Sequence, residues 1–124
     1  MSDIKYTKDH EWIKLIDNIA TIGITNHAQE SLGDIVFVDL PEIGKEVSTG
    51  GEVSVIESVK AASDIYSPVD GKIIEVNNNL NDNASLINEN AESEGWIFKV
   101  KISENQQPEN HMSYAEYEEF LKNE

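Results

Sequence analysis

Six short runs in which apolar and polar residues alternate, separated by turn-forming residues, leave this chain little to become except a small β protein. They cover Glu11–Leu15, Ile19–Ile24, Ile35–Asp39, Val53–Ile56, Lys72–Val76 and Trp96–Ile102. A period of two puts alternate side chains on one face, as in a strand with one side buried. Between the second and third runs, Thr25 or Asn26 as a cap and Gly33 as a terminator bracket a short helix near residues 26–32. Ser113 and Glu116 fit a capping box. Tyr114, Tyr117, Phe120 and Leu121 follow at helical spacing, which predicts a C-terminal helix whose apolar stripe packs on the β body. Ser103 to His111 is polar and broken by Pro108, so it reads as a linker. The expected organisation is a β domain over 1–102 and a linker with a packed helix over 103–124. The run Asn77–Asn83 reads as turns, because Asn and Asp tolerate positive φ.

Charge and composition remove several functional classes. The 124 residues carry a formal charge of −15, with nine lysines and no arginine. Nucleic acids and anionic membranes attract cationic surfaces, so neither is an expected partner. The acidity serves solubility first, and a partner with a basic docking face fits it as well. Without cysteine the chain has no disulfide, thiolate metal site or sulfur nucleophile of its own. Any redox chemistry must be borrowed. No apolar run approaches membrane-spanning length, and residues 1–6 lack the hydrophobic core of a signal peptide, so a soluble cytoplasmic protein is expected. No large apolar stripe demands self-association, and a monomer is expected.

Catalytic constellations are scarce. His10, His27 and His111 show no metal-ligand spacing, and His10-Glu11 lacks the second histidine of a zinc-protease motif. No nucleophile elbow or Gly-rich phosphate loop is present. The chain is expected to be no enzyme. One residue stands apart: Lys60 lies among Ser58, Val59, Ala61, Ala62 and Ser63, between strand-like Glu52–Ile56 and Asp64–Tyr66. That pattern predicts a hairpin with the lysine at its tip and room around its amine. Two readings stay open on spacing alone: a point of covalent attachment, where acylation would remove the charge, or one more solvated surface lysine.

Ordered blocks along nearly the whole chain carry a resemblance. They are Tyr6-Thr-Lys-Asp-His-Glu-Trp12, Ala20 to Gln29, Leu32-Gly-Asp-Ile-Val-Phe-Val-Asp-Leu-Pro41, Glu57-Ser-Val-Lys-Ala-Ala-Ser-Asp64, Ser67-Pro-Val-Asp-Gly71, Asn88 and Gly95-Trp96. The chain resembles the H-protein family of the glycine cleavage system. The resemblance implies a mainly β, lipoyl-type barrel-sandwich hybrid with an N-terminal extension, a short internal helix and a C-terminal helix. It implies that Lys60 carries a lipoyl group. Biotinyl domains of the same fold place methionine on both sides of their lysine, where this chain has Val59 and Ala61.

The family's function is carriage on an arm. The implied role is to take an aminomethyl group from glycine decarboxylase to the tetrahydrofolate-dependent aminomethyltransferase, and then electrons to dihydrolipoyl dehydrogenase. Lipoate-attaching enzymes are implied as further partners. Glu11 matches a family position that contacts the bound amine, and Asp64 matches an acidic position beside the lysine. His27 is a candidate for the same cleft wall. Each also has a plainer role, as a solvated edge charge or a water-facing ring, while Trp12 and Trp96 are expected in the core. The chain departs from the family at Ala84, where many relatives carry proline, and over Ser103–Met112, which lacks a leucine-bearing turn. Two alternatives remain: an H-like protein relaying lipoyl groups in lipoate metabolism, and a plain β interaction module with a bare lysine.

Overall fold

The structure is a computed structural model and describes residues 4–102 and 111–123. Most of the expected linker, residues 103–110, therefore lies outside the described residues. Nine strands and four helices follow in the order β1 (Ile4–Tyr6), β2 (Glu11–Ile16), β3 (Ile19–Ile24), α1 (Asn26–Leu32), β4 (Ile35–Asp39), β5 (Glu46–Val47), β6 (Glu52–Ser58), β7 (Ala62–Tyr66), β8 (Gly71–Val76), α2 (Asn79–Asp82), α3 (Leu86–Asn90), β9 (Phe98–Lys101) and α4 (Tyr114–Lys122) among the described residues. They form a six-stranded sheet ordered β1-β2-β3-β9-β8-β5 and a three-stranded sheet ordered β4-β6-β7, with every pairing antiparallel. The mainly β, two-sheet fold with a short internal helix and a C-terminal helix is the barrel-sandwich class that the sequence led to.

Local chemistry accounts for several of these elements. The β2–β3 hairpin turns on Asp17 and Asn18, both at positive φ (47° and 66°). Asp and Asn enter that region most easily after glycine, and two such residues make a turn whose twist matches the flanking strands. Helix α1 starts where Thr25 accepts a hydrogen bond from Ala28 N–H, and stops at Gly33, where φ is +83°. Both arms of the Ser113–Glu116 capping box are formed at the start of α4. Reciprocal bonds between Tyr6 and Met112 (2.8 and 2.7 Å) return the chain to β1 just before that helix.

Ile13, Ile22, Ile56, Ile73, Leu80, Ile87 and Val100 meet in one core fed by both sheets and by α2 and α3. Each such buried side chain contributes about 1.5–3 kcal/mol relative to exposure. A second cluster joins Tyr6, Trp12 and Tyr117, and it holds α4 on the β body. Tyr6 and Tyr117 stack with centroids 4.9 Å apart.

The structure corrects three local expectations. Asn77–Asn83 is more than a set of turns, because it contains α2, whose Leu80 is buried. Asn77 is itself buried and donates to the carbonyls of Glu94 and Trp96. Helices of four or five residues are too short to show a period, and tertiary packing of Leu80 and Ile87 stabilises them. Strands β1 and β5, of three and two residues, escaped the alternation test for the same reason. Tyr114 lies at the margin of the α4 stripe rather than within it: it is 56% exposed with its ring centroid 5.7 Å from that of Tyr6, while Tyr117 is buried and Phe120 and Leu121 are partly so.

Trp12 and Gly23 face each other across β2 and β3, and the indole lies over the glycine while its Nε1–H donates to Ala91 O at 2.8 Å. A β-carbon on Gly23 would sit 2.7 Å from Trp12 Nε1. Gly23→Ala should therefore displace the ring and lower stability by about 1–3 kcal/mol. Denaturant titration with a red shift of tryptophan emission would check this, and an unchanged midpoint would contradict it.

Candidate functional site

Strands β6 and β7 pair in register, Ile56 with Ser63 and Glu57 with Ala62, and leave Ser58-Val59-Lys60-Ala61 as a tight turn. Ser58 closes it. Its N–H donates to Ala61 O at 2.8 Å, and its hydroxyl oxygen accepts from the N–H groups of Lys60 (3.2 Å) and Ala61 (3.1 Å). A serine that satisfies the turn's own amides fixes the backbone where Lys60 projects. The turn is also docked from outside, since Val59 N–H donates to Asp34 O at 3.0 Å. Lys60 is exposed, and among the described residues no carboxylate lies within ion-pair distance of its amine. The turn thus offers a nucleophilic amine on a stiff mount.

Glu11 begins β2, and alternation puts it on the face of its buried neighbour Ile13. It is 2% exposed. Its Oε2 accepts the N–H of Tyr66, at the end of β7, at 2.9 Å, and its Oε1 accepts the hydroxyl of Thr7 at 3.2 Å. Burial pushes its carboxyl up to about 8, with a smaller upward contribution from Asp9, while the bonds from Tyr66 and Thr7 pull it down. Desolvation wins because the partners are neutral dipoles rather than a cation. Glu11 therefore keeps its proton to a higher pH than an ordinary carboxyl does.

Glu11 lines a cavity of about 530 Å³ whose other walls include Thr7, Tyr66, Pro68, His111 and Met112. His111 Nε2 lies 3.0 Å from Pro68 O. A carbonyl only accepts, so Nε2 carries the proton and Nδ1 is left as an acceptor. That Nδ1 is buried and has no hydrogen-bond partner among the described residues. Burial lowers the affinity of His111 for a second proton. The cavity thus combines a mainly apolar lining with a carboxyl that burial makes costly to ionise, and it also carries Lys8 and Asp9; such a lining suits a slender apolar chain with a donor or cation at its end.

The four residues singled out in the sequence are not one contact cluster. Lys60 sits at the turn before β7, Asp64 is exposed midway along it, and Glu11 is bonded to its last residue. The five-residue strand separates its first and last residues by about 13 Å. His27 lies elsewhere. Its ring is 4.7 Å from that of His10, whose Nδ1 is 2.7 Å from Tyr117 Oη, and Tyr117 Oη is 2.8 Å from Thr25 Oγ1. That group joins α1 and the start of β2 to α4. Thr7, Tyr66 and His111 were not anticipated. Thr7 and Tyr66 act through pairing and main-chain groups that no motif displays, and His111 sits beside an irregular segment without periodicity.

Known proteins resemble this chain over nearly its whole length. The family model for the glycine cleavage H-protein matches residues 4–124. The glycine cleavage system H protein of Thermotoga maritima is 54% identical over 120 residues, covering 97% of each chain. That of Escherichia coli O7:K1 is 52% identical, covering 99% of this chain and 96% of the relative. The crystal structure of a glycine cleavage system H protein from Mycobacterium marinum superimposes with a TM-score of 0.88 at 36% identity, covering 97% of each chain. The chain belongs to the glycine cleavage H-protein family.

Proposed function

We propose that this chain is a lipoyl-lysine carrier, a cytoplasmic monomer without catalytic activity of its own. It moves the aminomethyl group from glycine decarboxylase to the tetrahydrofolate-dependent aminomethyltransferase and passes electrons to dihydrolipoyl dehydrogenase. The observation that carries this reading is the exposed Lys60 on a turn fixed by Ser58 and docked on Asp34, in a chain of this family. The lysine amine fits the group, since its Nζ can form the amide that a lipoate-attaching enzyme makes. Once bound, the lipoyl group supplies the disulfide–dithiol couple that a cysteine-free chain lacks.

The protein's own residues mount the arm and receive its end. Ser58 and Asp34 hold the turn, so movement belongs to the side chain rather than to the backbone beneath it. Glu11 receives a cation: an ammonium group beside its carboxyl would favour ionisation, and any proton the buried acid still held would leave to solvent. Asp64 adds negative potential along the way. We assign His27 to the group that holds α4. Tethering gives each partner enzyme a high local concentration of the same arm.

Lys60→Arg keeps the charge but offers no acylable amine. It should melt within about 0.5 kcal/mol of the parent, as surface changes do, yet remain unmodified by a lipoate-attaching enzyme and fail to support glycine decarboxylase exchange of carbon dioxide. Exchange by the arginine variant, or silence from a fully lipoylated parent, would sink the proposal.

Glu11 adds a pH signature. Its folded-state value, about 8, lies above the ordinary 4.5, so the folded chain holds this proton more tightly than the unfolded one. Stability from this group is therefore intact below about 4.5 and is lost as pH rises towards 8, at about 1.4 kcal/mol per unit at most. Glu11→Gln should gain stability relative to the parent across that window. Paired urea titrations at several pH values would test it, and a constant difference would refute it.

A further inference from the structure

We propose that Asn88, on α3, is a positioning residue for Lys60: its side-chain amide fixes the connection between α1 and β4 on which the lysine turn rests, and so sets how efficiently enzymes engage that lysine. This rests on the reading of Lys60 as an enzymatically acylated residue.

Asn88 Oδ1 accepts the N–H of Ile35 at 2.8 Å. Its Nδ2 donates to Gly33 O and to Gln29 Oε1, both at 2.9 Å. The orientation of the amide is fixed by its partners, because a backbone N–H only donates and a carbonyl only accepts. One side chain therefore grips both ends of Gly33-Asp34-Ile35 and the helix that precedes it. Aspartate would keep the acceptor and lose both donors, and alanine would lose all three bonds.

The gripped segment is the seat of the lysine turn. Asp34 O, in its middle, receives Val59 N–H at 3.0 Å, and Ile35 pairs with Ser58. Gly33, at its start, lies beneath the lysine stem: a β-carbon there would be 3.2 Å from Lys60 Cε. Its φ of +83° also suits glycine and strains other residues. Asn88 thus reaches Lys60 through one intervening segment, although 28 residues separate the two in the chain. An enzyme that acylates Lys60 must bring Nζ to a fixed point in its own site. Loosening the seat spreads the positions that Nζ samples and lowers the productive fraction.

The test compares the full-length parent with Asn88→Ala, Asn88→Asp and, as an independent route to the same seat, Gly33→Ala. Enzymatic lipoylation kinetics are set beside the rate at which Lys60 reacts with a small N-hydroxysuccinimide acetate. Asn88→Ala should lose at least about tenfold in kcat/KM with the enzyme, with unchanged chemical acetylation, because the small reagent needs only an exposed amine. Asn88→Asp should fall between. Hydrogen exchange should show Val59 N–H losing protection while Ile56 in the adjoining strand keeps it. An unchanged enzymatic rate, or an equal loss of protection across both sheets, would overturn the proposal by reducing Asn88 to a general stabilising residue. If the parent itself is not lipoylated, the carrier reading fails instead, and Val59 exchange still decides whether Asn88 holds the turn.

Discussion

A buried carboxyl group joins the two sheets at the far end of the strand that leads to Lys60. Glu11 opens β2 of the larger sheet, and its Oε2 takes the N–H of Tyr66, which closes β7 of the smaller one. Tyr66 N–H would otherwise face an edge with no neighbouring strand among the described residues. An acid placed there without a cation is costly when charged, and burial pushes it up to about 8 as a result. The same arrangement that ties β7 down therefore leaves an acid poised between neutral and ionised, facing a cavity. Structure and chemistry share one side chain.

From that anchor β7 runs back to a turn that is held on three sides. Ser58 satisfies its amides, Asp34 holds Val59, and the α1–β4 connection supports the lysine stem. A mobile arm needs a mount that does not move with it, because backbone freedom at the attachment point would dilute each productive encounter. α4 completes the frame at another edge. Its Tyr117 packs on Tyr6 and shares a hydroxyl network with Thr25 and His10, so the appended helix forms part of the second core.

Much of this frame was legible in the sequence, and the limits have physical causes. β2, β3 and β4 were readable because each has at least five residues in which recurring apolar positions can show, although β2 and β3 are covered on both faces over part of their length. Helices α1 and α4 announced themselves through caps, which are local chemistry. The lysine turn was visible in the small residues between two strands. Elements that long-range packing stabilises left no such trace: β1, β5, α2 and α3 are too short to display a period, and Leu80 and Ile87 become core only when the sheets close over them. Glu11 was visible only through the family resemblance, and its burial was not, because its partner is a main-chain amide 55 residues away. Asn88 was visible only as part of a family pattern, since its three bonds join segments that meet through the fold.

The central claim is that this chain exists to carry one acyl group on Lys60. Intact-mass and peptide-level mass spectrometry of the protein purified from its native cells tests it most directly. The account predicts a mass increase of a single lipoyl group, located on the peptide that contains Lys60. A folded chain with bare Lys60 from cells that lipoylate their other acceptors, or the group found on another of the nine lysines, would contradict it.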